Sequence, residues 1–503
     1  MISIDTFFLD RDAPGTLQSR IQRMVAAGIL SGRFRPGERL PSSRALAGHL
    51  GVARITVTLA YTELVADDYL TARGRSGFYV SKNAPEAPVH APSAPGVSTV
   101  DWDALLPPVM PPSLEKPRDW ATYRYNFIYG QADPTLFDAA NWRLCALQSL
   151  GRRDFDSLTA DRFDQDDPEL VDVIAGQVLP RRGILARPDE ILVTMGAQNA
   201  LWMAAQLLLG PGRRAAIENP GYPSLRAILA ARGAEVAAVD VDAGGLPPGA
   251  IPRGADVAFV TPSHQCPTTA TMPLARRDAL LARAEAEDML IVEDDYDFEM
   301  SFLAPASPAL KSLDRTGRVI HVGSFSKSIF PGLRLGYLVG PAPFIAAARA
   351  LRASVLRHPP GMLQRTTATF LSLGHYDAQI RRTSRVLHER RRALDAAVAE
   401  HGLEVAGPGA YGGSALWMRA PEGVDTGELA LALRAKGVLV EPGGAFFAPV
   451  ETGVGWGFTP PSGGGGLGSA RHTPERFYRL AYSSIAEGRI AEGVGLVGSF
   501  TLN

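Results

Sequence analysis

A lysine that is to bond covalently to a carbonyl must give up its proton, which calls for a partly desolvated, electropositive setting. Lys327 stands in such a setting. The stretch Gly323-Ser-Phe-Ser-Lys-Ser-Ile-Phe-Pro-Gly-Leu-Arg334 surrounds it with Ser324, Ser326 and Ser328 and places Arg334 seven residues on. Small hydroxyls and a guanidinium suit a phosphate dianion, so these residues together read as a seat for pyridoxal 5'-phosphate (PLP). Thr194-Met-Gly-Ala-Gln198 opens a helix straight after an apolar run, and the backbone amides of Ala197 and Gln198 are expected on the same phosphate. Glu293-Asp-Asp-Tyr-Asp297 ends another run. A carboxylate facing the pyridine nitrogen keeps it protonated and strengthens the ring as an electron sink. Asp294 is expected in that role, with Tyr296 on the ring hydroxyl. The turn Asn219-Pro-Gly-Tyr222 brings Tyr222 toward the cofactor. No metal is expected.

Residues so far apart in sequence converge only if a common scaffold carries them. Short apolar runs occur at Ile191–Thr194, Arg214–Ile217, Val236–Val239, Val257–Thr261, Leu290–Glu293, Val319–Val322 and Leu335–Val339. Helical patterns such as 197–209, 225–232 and 274–287 lie between several of them. This alternation predicts an α/β domain with a largely parallel, seven-stranded sheet. Ligands in such sheets sit at the carboxyl ends of the strands, and Gly196, Asp294 and Lys327 each follow a run.

The first eighty residues have a different period. Leu17, Ile21, Met24, Val25 and Gly28 share one helical face, and Gly32 stops that helix. Ser42 or Ser43 caps a second helix with Leu46, Ala47 and Leu50 inward and Gly51 as its stop. A third helix runs from about Ala53 to Asp67 with Val57, Ala60, Tyr61 and Leu64 on its core side. Tyr69–Val80 then reads as two short strands around a glycine-containing turn. Three helices and a basic hairpin describe a winged helix-turn-helix. Arg44, Arg54 and Thr56 near the starts of helices two and three are candidate DNA contacts, as are Arg73 and Arg75 on the wing.

The segment 83–119 holds nine prolines and little periodicity, the mark of an extended spacer, with Trp102, Leu105 and Leu106 able to dock on a domain surface. The expected organisation is therefore a head at 1–82, a spacer at 83–119 and a large domain at 120–503. Net charge is -1, but residues 1–82 carry 11 Lys plus Arg against 7 Asp plus Glu. Two cysteines, Cys145 and Cys266, cannot build a disulfide framework and fit a reducing cytoplasm. No apolar run is long enough to span a membrane.

Phe34-Arg-Pro-Gly-Glu-Arg-Leu-Pro-Ser-Ser-Arg-Ala-Leu-Ala47, Leu50-Gly-Val-Ala-Arg-Ile-Thr-Val57 and the Gly74-Arg-Ser-Gly77 wing closely resemble the GntR family of bacterial DNA-binding domains, which implies that Arg44, Arg54 and Thr56 touch promoter DNA. Ala53 stands where many relatives carry Ser. The lysine and aspartate stretches resemble fold-type I PLP enzymes of the aminotransferase kind, with large and small subdomains. Adding Gly130-Gln-Ala-Asp-Pro-Thr-Leu-Phe137 and Thr261-Pro-Ser-His-Gln-Cys-Pro-Thr268, the whole chain is similar to the MocR subfamily, and the N-terminal segment and the 61–77 pattern lie nearest its taurine-responsive branch. The resemblance implies PLP carried on Lys327, phosphate held by Arg334 and Ser324, and Arg479 gripping the anionic group of an effector. It implies a cytoplasmic regulator in which an amine or amino acid effector replaces Lys327 on the cofactor, and a domain-swapped, head-to-tail homodimer. The large domain then acts as a sensor rather than an enzyme, with residual transaminase turnover left open. Two alternatives remain at this stage: a working aminotransferase, and a regulator of vitamin B6 synthesis that senses PLP itself. Two departures matter. Thr269 replaces the usual Gly after Pro-Thr, and Cys266 replaces the Asn that aminotransferases direct at the ring hydroxyl. The Gly/Pro-rich segment 451–472 is either a lid over the effector pocket or a disordered loop.

Overall fold

The computed structural model describes residues 2–10, 13–85, 99–106, 116–449 and 474–501. The segment 451–472 lies outside the described residues. Contacts divide the chain into two units, Met1–Pro108 and Val109–Asn503.

The first unit is built from α1 (Leu17–Leu30), α2 (Ser43–Leu50), α3 (Arg54–Ala66), β1 (Leu70–Ala72) and β2 (Phe78–Val80). Thr16 caps α1, accepting from the Ser19 amide. Of the two candidate serines Ser42 caps α2, accepting from the Ala45 amide, and left-handed Gly51 ends it. Val57, Ala60, Tyr61 and Leu64 are the buried residues of α3, as their spacing predicts. Leu17 differs from expectation: it is exposed, and the buried face of α1 is Ile21, Val25, Gly28 and Ile29. Gly28 is required by packing, because a Cβ there would lie 2.2 Å from the Phe34 ring. The strands pair antiparallel with Thr71 opposite Tyr79, forming the wing. Further along, Trp102–Leu105 forms one helical turn, and Trp102, Leu105 and Leu106 are exposed.

The second unit is organised by a seven-stranded sheet: β3 (Ile191–Thr194), β4 (Arg214–Asn219), β5 (Glu235–Asp240), β6 (Val257–Val260), β7 (Leu290–Asp295), β8 (Val319–Ser324) and β9 (Gly336–Val339). Its spatial order is β3-β9-β8-β7-β6-β4-β5. Strands β4 to β8 pair in parallel, and β9 runs antiparallel to both neighbours. Most of these strands are covered on both faces, so they read in sequence as unbroken apolar runs. The crowded β3-β9-β8 edge needs glycine: a Cβ on Gly336 would lie 2.6 Å from the Gly323 carbonyl oxygen. Helix α4 (Ala197–Leu208) follows β3.

A smaller antiparallel sheet closes the unit: β10 (Glu404–Val405), β11 (Ala415–Arg419), β12 (Glu441–Pro442) and β13 (Phe477–Ala481), in the order β10-β11-β13-β12. It packs with α5 (His375–Glu400) through Leu387, Leu394, Leu416, Met418 and Leu480. Among the described residues no helix is long and apolar enough to cross a membrane.

Candidate functional site

Strand β8 is buried throughout and delivers the chain to Lys327 through a tight turn: the Ser326 amide donates to Ser324 Oγ (3.2 Å), and the Ile329 amide to the Phe325 carbonyl (2.9 Å). The Lys327 ammonium lies over the Tyr129 ring, 3.8 Å from its centroid. Burial, then the neighbouring Lys116 ammonium, pushes the Lys327 amine down to about 7. A substantial share is therefore neutral and nucleophilic near neutral pH.

On the next strand, Asp294 is buried with Oδ1 lacking a hydrogen-bond partner among the described residues. Burial, reinforced by Asp295, Asp297, Glu218 and Glu293, drives its carboxyl well above the usual range. An orphaned buried carboxylate costs stability unless a cationic donor meets it. Asp294 and Tyr222 line one slot together with Glu218, Thr261, Leu201 and Phe259. Tyr296 sends its hydroxyl to the His264 carbonyl (2.9 Å), which leaves its oxygen lone pairs for a ring hydroxyl.

The residues expected on the phosphate meet at the start of α4. Gly196 caps that helix at φ +81, and a Cβ there would lie 3.3 Å from Arg334 Nη2. Glycine at 196 thus lets the guanidinium settle over the helix start, beside the orphan amides of Ala197 and Gln198. The Arg334 side chain is exposed there, open to an anion, and Ser326 Oγ is buried without a hydrogen-bond partner among the described residues. An unpartnered acid, an exposed guanidinium, free hydroxyls and a helix start fit the ring and phosphate of PLP. When bound, that group supplies an electron sink.

A second group of residues near Lys327 is arranged differently. Arg479, on β13, is directly across from Glu441 on β12, and its Nε donates to Glu441 Oε2 at 2.8 Å. The Tyr129 amide donates to the same oxygen (3.0 Å), and Lys116 Nζ lies 3.3 Å from Oε1. The Arg479 guanidinium sits over the Tyr129 and Phe446 rings, 4.2 and 4.7 Å from their centroids. Although burial raises the Glu441 carboxyl, Arg479 and Lys116 hold it below its ordinary value. Tyr129 is fixed by its hydroxyl, which donates to Asp297 (3.4 Å), and Asp297 also meets His264 Nδ1 (2.9 Å).

The sequence pattern does not single out Tyr129, Lys116 or Glu441. Tyr129 directly precedes the Gly130 motif, a signal within reach. Lys116 fell inside the spacer as read from composition, yet its ammonium donates to the Tyr129 carbonyl. The two departures also find places. Thr269 adopts φ +59, the left-handed conformation that favours glycine, so the turn keeps the glycine-type backbone. Burial pushes the Cys266 thiol up to about 12, so it offers a weak S–H donor where an amide would bond.

In the first unit Arg44 and Arg54 are exposed, and Arg54 Nε approaches Ser43 Oγ at 3.4 Å, which places both arginines at the α2–α3 corner. Thr56 lies in the first turn of α3, whose cap Ala53 provides no side-chain bond. On the wing, Arg73 stacks over Tyr79 at 4.5 Å, and Arg75 belongs to the turn Gly74–Ser76.

Residues 17–80 match the bacterial regulatory proteins of the gntR family, and residues 164–456 match aminotransferase class I and II. The HTH-type transcriptional regulator TauR of Rhodobacter capsulatus is 59% identical over 498 residues, covering 99% of both chains. The chain belongs to the MocR-type regulators. It is a DNA-binding transcription regulator with an aminotransferase domain. The HTH-type pyridoxine biosynthesis transcriptional regulator PdxR of Corynebacterium glutamicum is 35% identical over 75% of this chain and 77% of that one. The probable rhizopine catabolism regulatory protein MocR of Rhizobium meliloti is 31% identical over 78% of this chain and 79% of that one. Among solved structures, the α-aminoadipate aminotransferase LysN of Thermus thermophilus aligns with TM-score 0.68 at 24% identity over 80% of this chain and 98% of that one, a likeness of fold.

Proposed function

We propose that the second unit binds PLP on Lys327 and senses a small amine or amino acid, and that this changes promoter binding by the winged head. The observation that carries the reading is Asp294 Oδ1, buried without a hydrogen-bond partner among the described residues, on the strand that pairs with the one leading into Lys327, whose amine is held near 7. Arg334, Ser324, Ala197 and Gln198 would hold the phosphate, Asp294 the ring nitrogen, and Tyr296 and Tyr222 the ring. Arg479 would take the effector's anionic group. Arg44, Arg54, Thr56, Arg73 and Arg75 would contact DNA. A homodimer is part of the same proposal, as the family resemblance implies. The effector must favour one arrangement of the molecule over another for binding to reach the DNA. The full-length likeness to TauR and the resemblance to a taurine-responsive branch make taurine the first amine to try. A weak thiol donor at Cys266 in place of an amide supports sensing over efficient transamination.

The test is an absorbance titration of the purified protein against a panel of amines, with promoter binding followed in parallel. One amine should shift the lysine-linked cofactor band without accumulating keto acid, and DNA binding should change with it. Lys327→Ala should lose the band and the response while retaining promoter binding. Continuous keto acid production with indifferent DNA binding would instead mark an aminotransferase. A response to PLP with no amine required would mark a PLP sensor.

A further inference from the structure

Two ammonium groups share one glycine in the pocket. A Cβ on Gly130 would lie 3.3 Å from Lys116 Nζ and 3.4 Å from Lys327 Nζ, so the lysine that leads out of the spacer stands beside the lysine of the cofactor site. Lys116 is held there by a hydrogen bond to the Tyr129 carbonyl, and by Glu441 only loosely. Its nitrogen is 3.3 Å from Glu441 Oε1, yet that buried oxygen has no hydrogen-bond partner among the described residues. Glu441 is otherwise bound firmly, through Oε2, by Arg479 Nε and the Tyr129 amide. The hydrogen bond of Arg479 runs through Nε, which leaves its two terminal nitrogens for a ligand.

We propose that Lys116 and Arg479 together form the seat for the effector's anionic group, with Glu441 as its internal competitor. When a carboxylate or sulfonate arrives, Lys116 transfers from Glu441 Oε1 to the ligand, while Glu441 keeps Arg479 oriented through Nε. The terminal nitrogens of Arg479 and the ammonium of Lys116 then converge on the same anion. The ligand class that fits is a short zwitterion, with an amine reaching Lys327 and an anion reaching this seat. The inference deepens the amine-sensing reading, but the anion seat can be tested without any amine.

The probes are therefore ethanesulfonate and propanoate, matched anions that lack an amine. Their binding to full-length, PLP-loaded protein is measured by calorimetry, beside Lys116→Met and Glu441→Gln. Lys116→Met should weaken the favoured anion about tenfold, the loss of one charge-assisted contact. Glu441→Gln should strengthen it several-fold by removing the competing charge. General damage to the pocket would move both variants the same way, so opposite directions support the seat, and the ratio of the two probes tells sulfonate from carboxylate preference. Unchanged anion affinity in Lys116→Met, weakening in both variants, or no binding of either probe to the parent protein would overturn it. The amine titration described above stands or falls separately, because it reads the cofactor band.

Discussion

In one group of residues near the end of the large sheet, Asp294 Oδ1 and Ser326 Oγ are buried without hydrogen-bond partners among the described residues, and Arg334 is exposed. In a second group, Arg479 is tied to Glu441, and Glu441 draws in Lys116. Unpaired buried polar groups destabilise a protein. They are tolerable where a resident molecule supplies the missing partners for most of the protein's life. A site that must wait empty for a visitor is better built with its charges already answered, so that capture becomes an exchange of partners. On the proposed reading, the first group would meet a resident cofactor and the second an occasional ligand, the division of labour a sensor needs.

The largest effect should come from breaking the first group. Asp294→Ala removes the carboxylate proposed for the ring nitrogen, a charge-assisted contact of about 1.5–3 kcal/mol. PLP affinity, followed by the absorbance of the lysine-linked cofactor, should therefore fall by about one to two orders of magnitude. Glu441→Gln, in the second group, should leave it nearly unchanged. Equal losses in the two variants would erase the distinction between the groups.

A smaller effect sharpens it through pH. Asp294 is driven up by burial and its acidic neighbours, and burial raises Glu218 to about 7. An acid whose pKa is higher in the folded than in the unfolded state keeps its proton better when folded. Its burial is harmless below the unfolded value, and stability declines as pH rises toward the folded value. Melting temperature of the cofactor-free protein, measured from about pH 5 to 8, should carry this downward contribution. Asp294→Asn should make the decline shallower, as should loading with PLP. Superimposable profiles for parent and variant would show that Asp294 does not titrate differently in the folded state.

The two groups were also unequally legible in sequence. The strands of the large sheet are visible because burial on both faces writes continuous apolar runs. Gly196, Asp294 and Lys327 follow such runs closely, so their convergence is a consequence of sheet topology. Glu441 gives no comparable signal: it sits on a two-residue strand, and only cross-strand register brings it opposite Arg479. Lys116 is hidden by the composition around it, since proline-rich sequence reads as spacer whichever side chain it carries into a pocket. Arg479 was identified by resemblance, but its partner was not, because pairing across a sheet is a property of register that local pattern does not contain.

The smallest effect is expected at the turn that carries Cys266. Residues 265–270 hold Cys266, which belongs to one cluster with Tyr222, Tyr296, Phe446 and Phe477. The turn is closed by the Thr269 amide donating to the Gln265 carbonyl at 2.7 Å, with Thr269 at φ +59. A non-glycine residue in that conformation costs about 1–2 kcal/mol, so Thr269→Gly relieves strain. Against this, glycine frees the unfolded chain by about 0.5–1 kcal/mol, and the Thr269 hydroxyl no longer donates to the Thr268 carbonyl, a 2.6 Å contact. The opposing contributions nearly cancel, so Thr269→Gly should move the melting temperature by no more than about 3 °C. PLP and anion affinities should stay at parental values, because the backbone is already in the glycine conformation. A large loss of PLP affinity with the melting temperature preserved would mean that the Thr269 side chain itself, and not only the turn it occupies, belongs to the cofactor site.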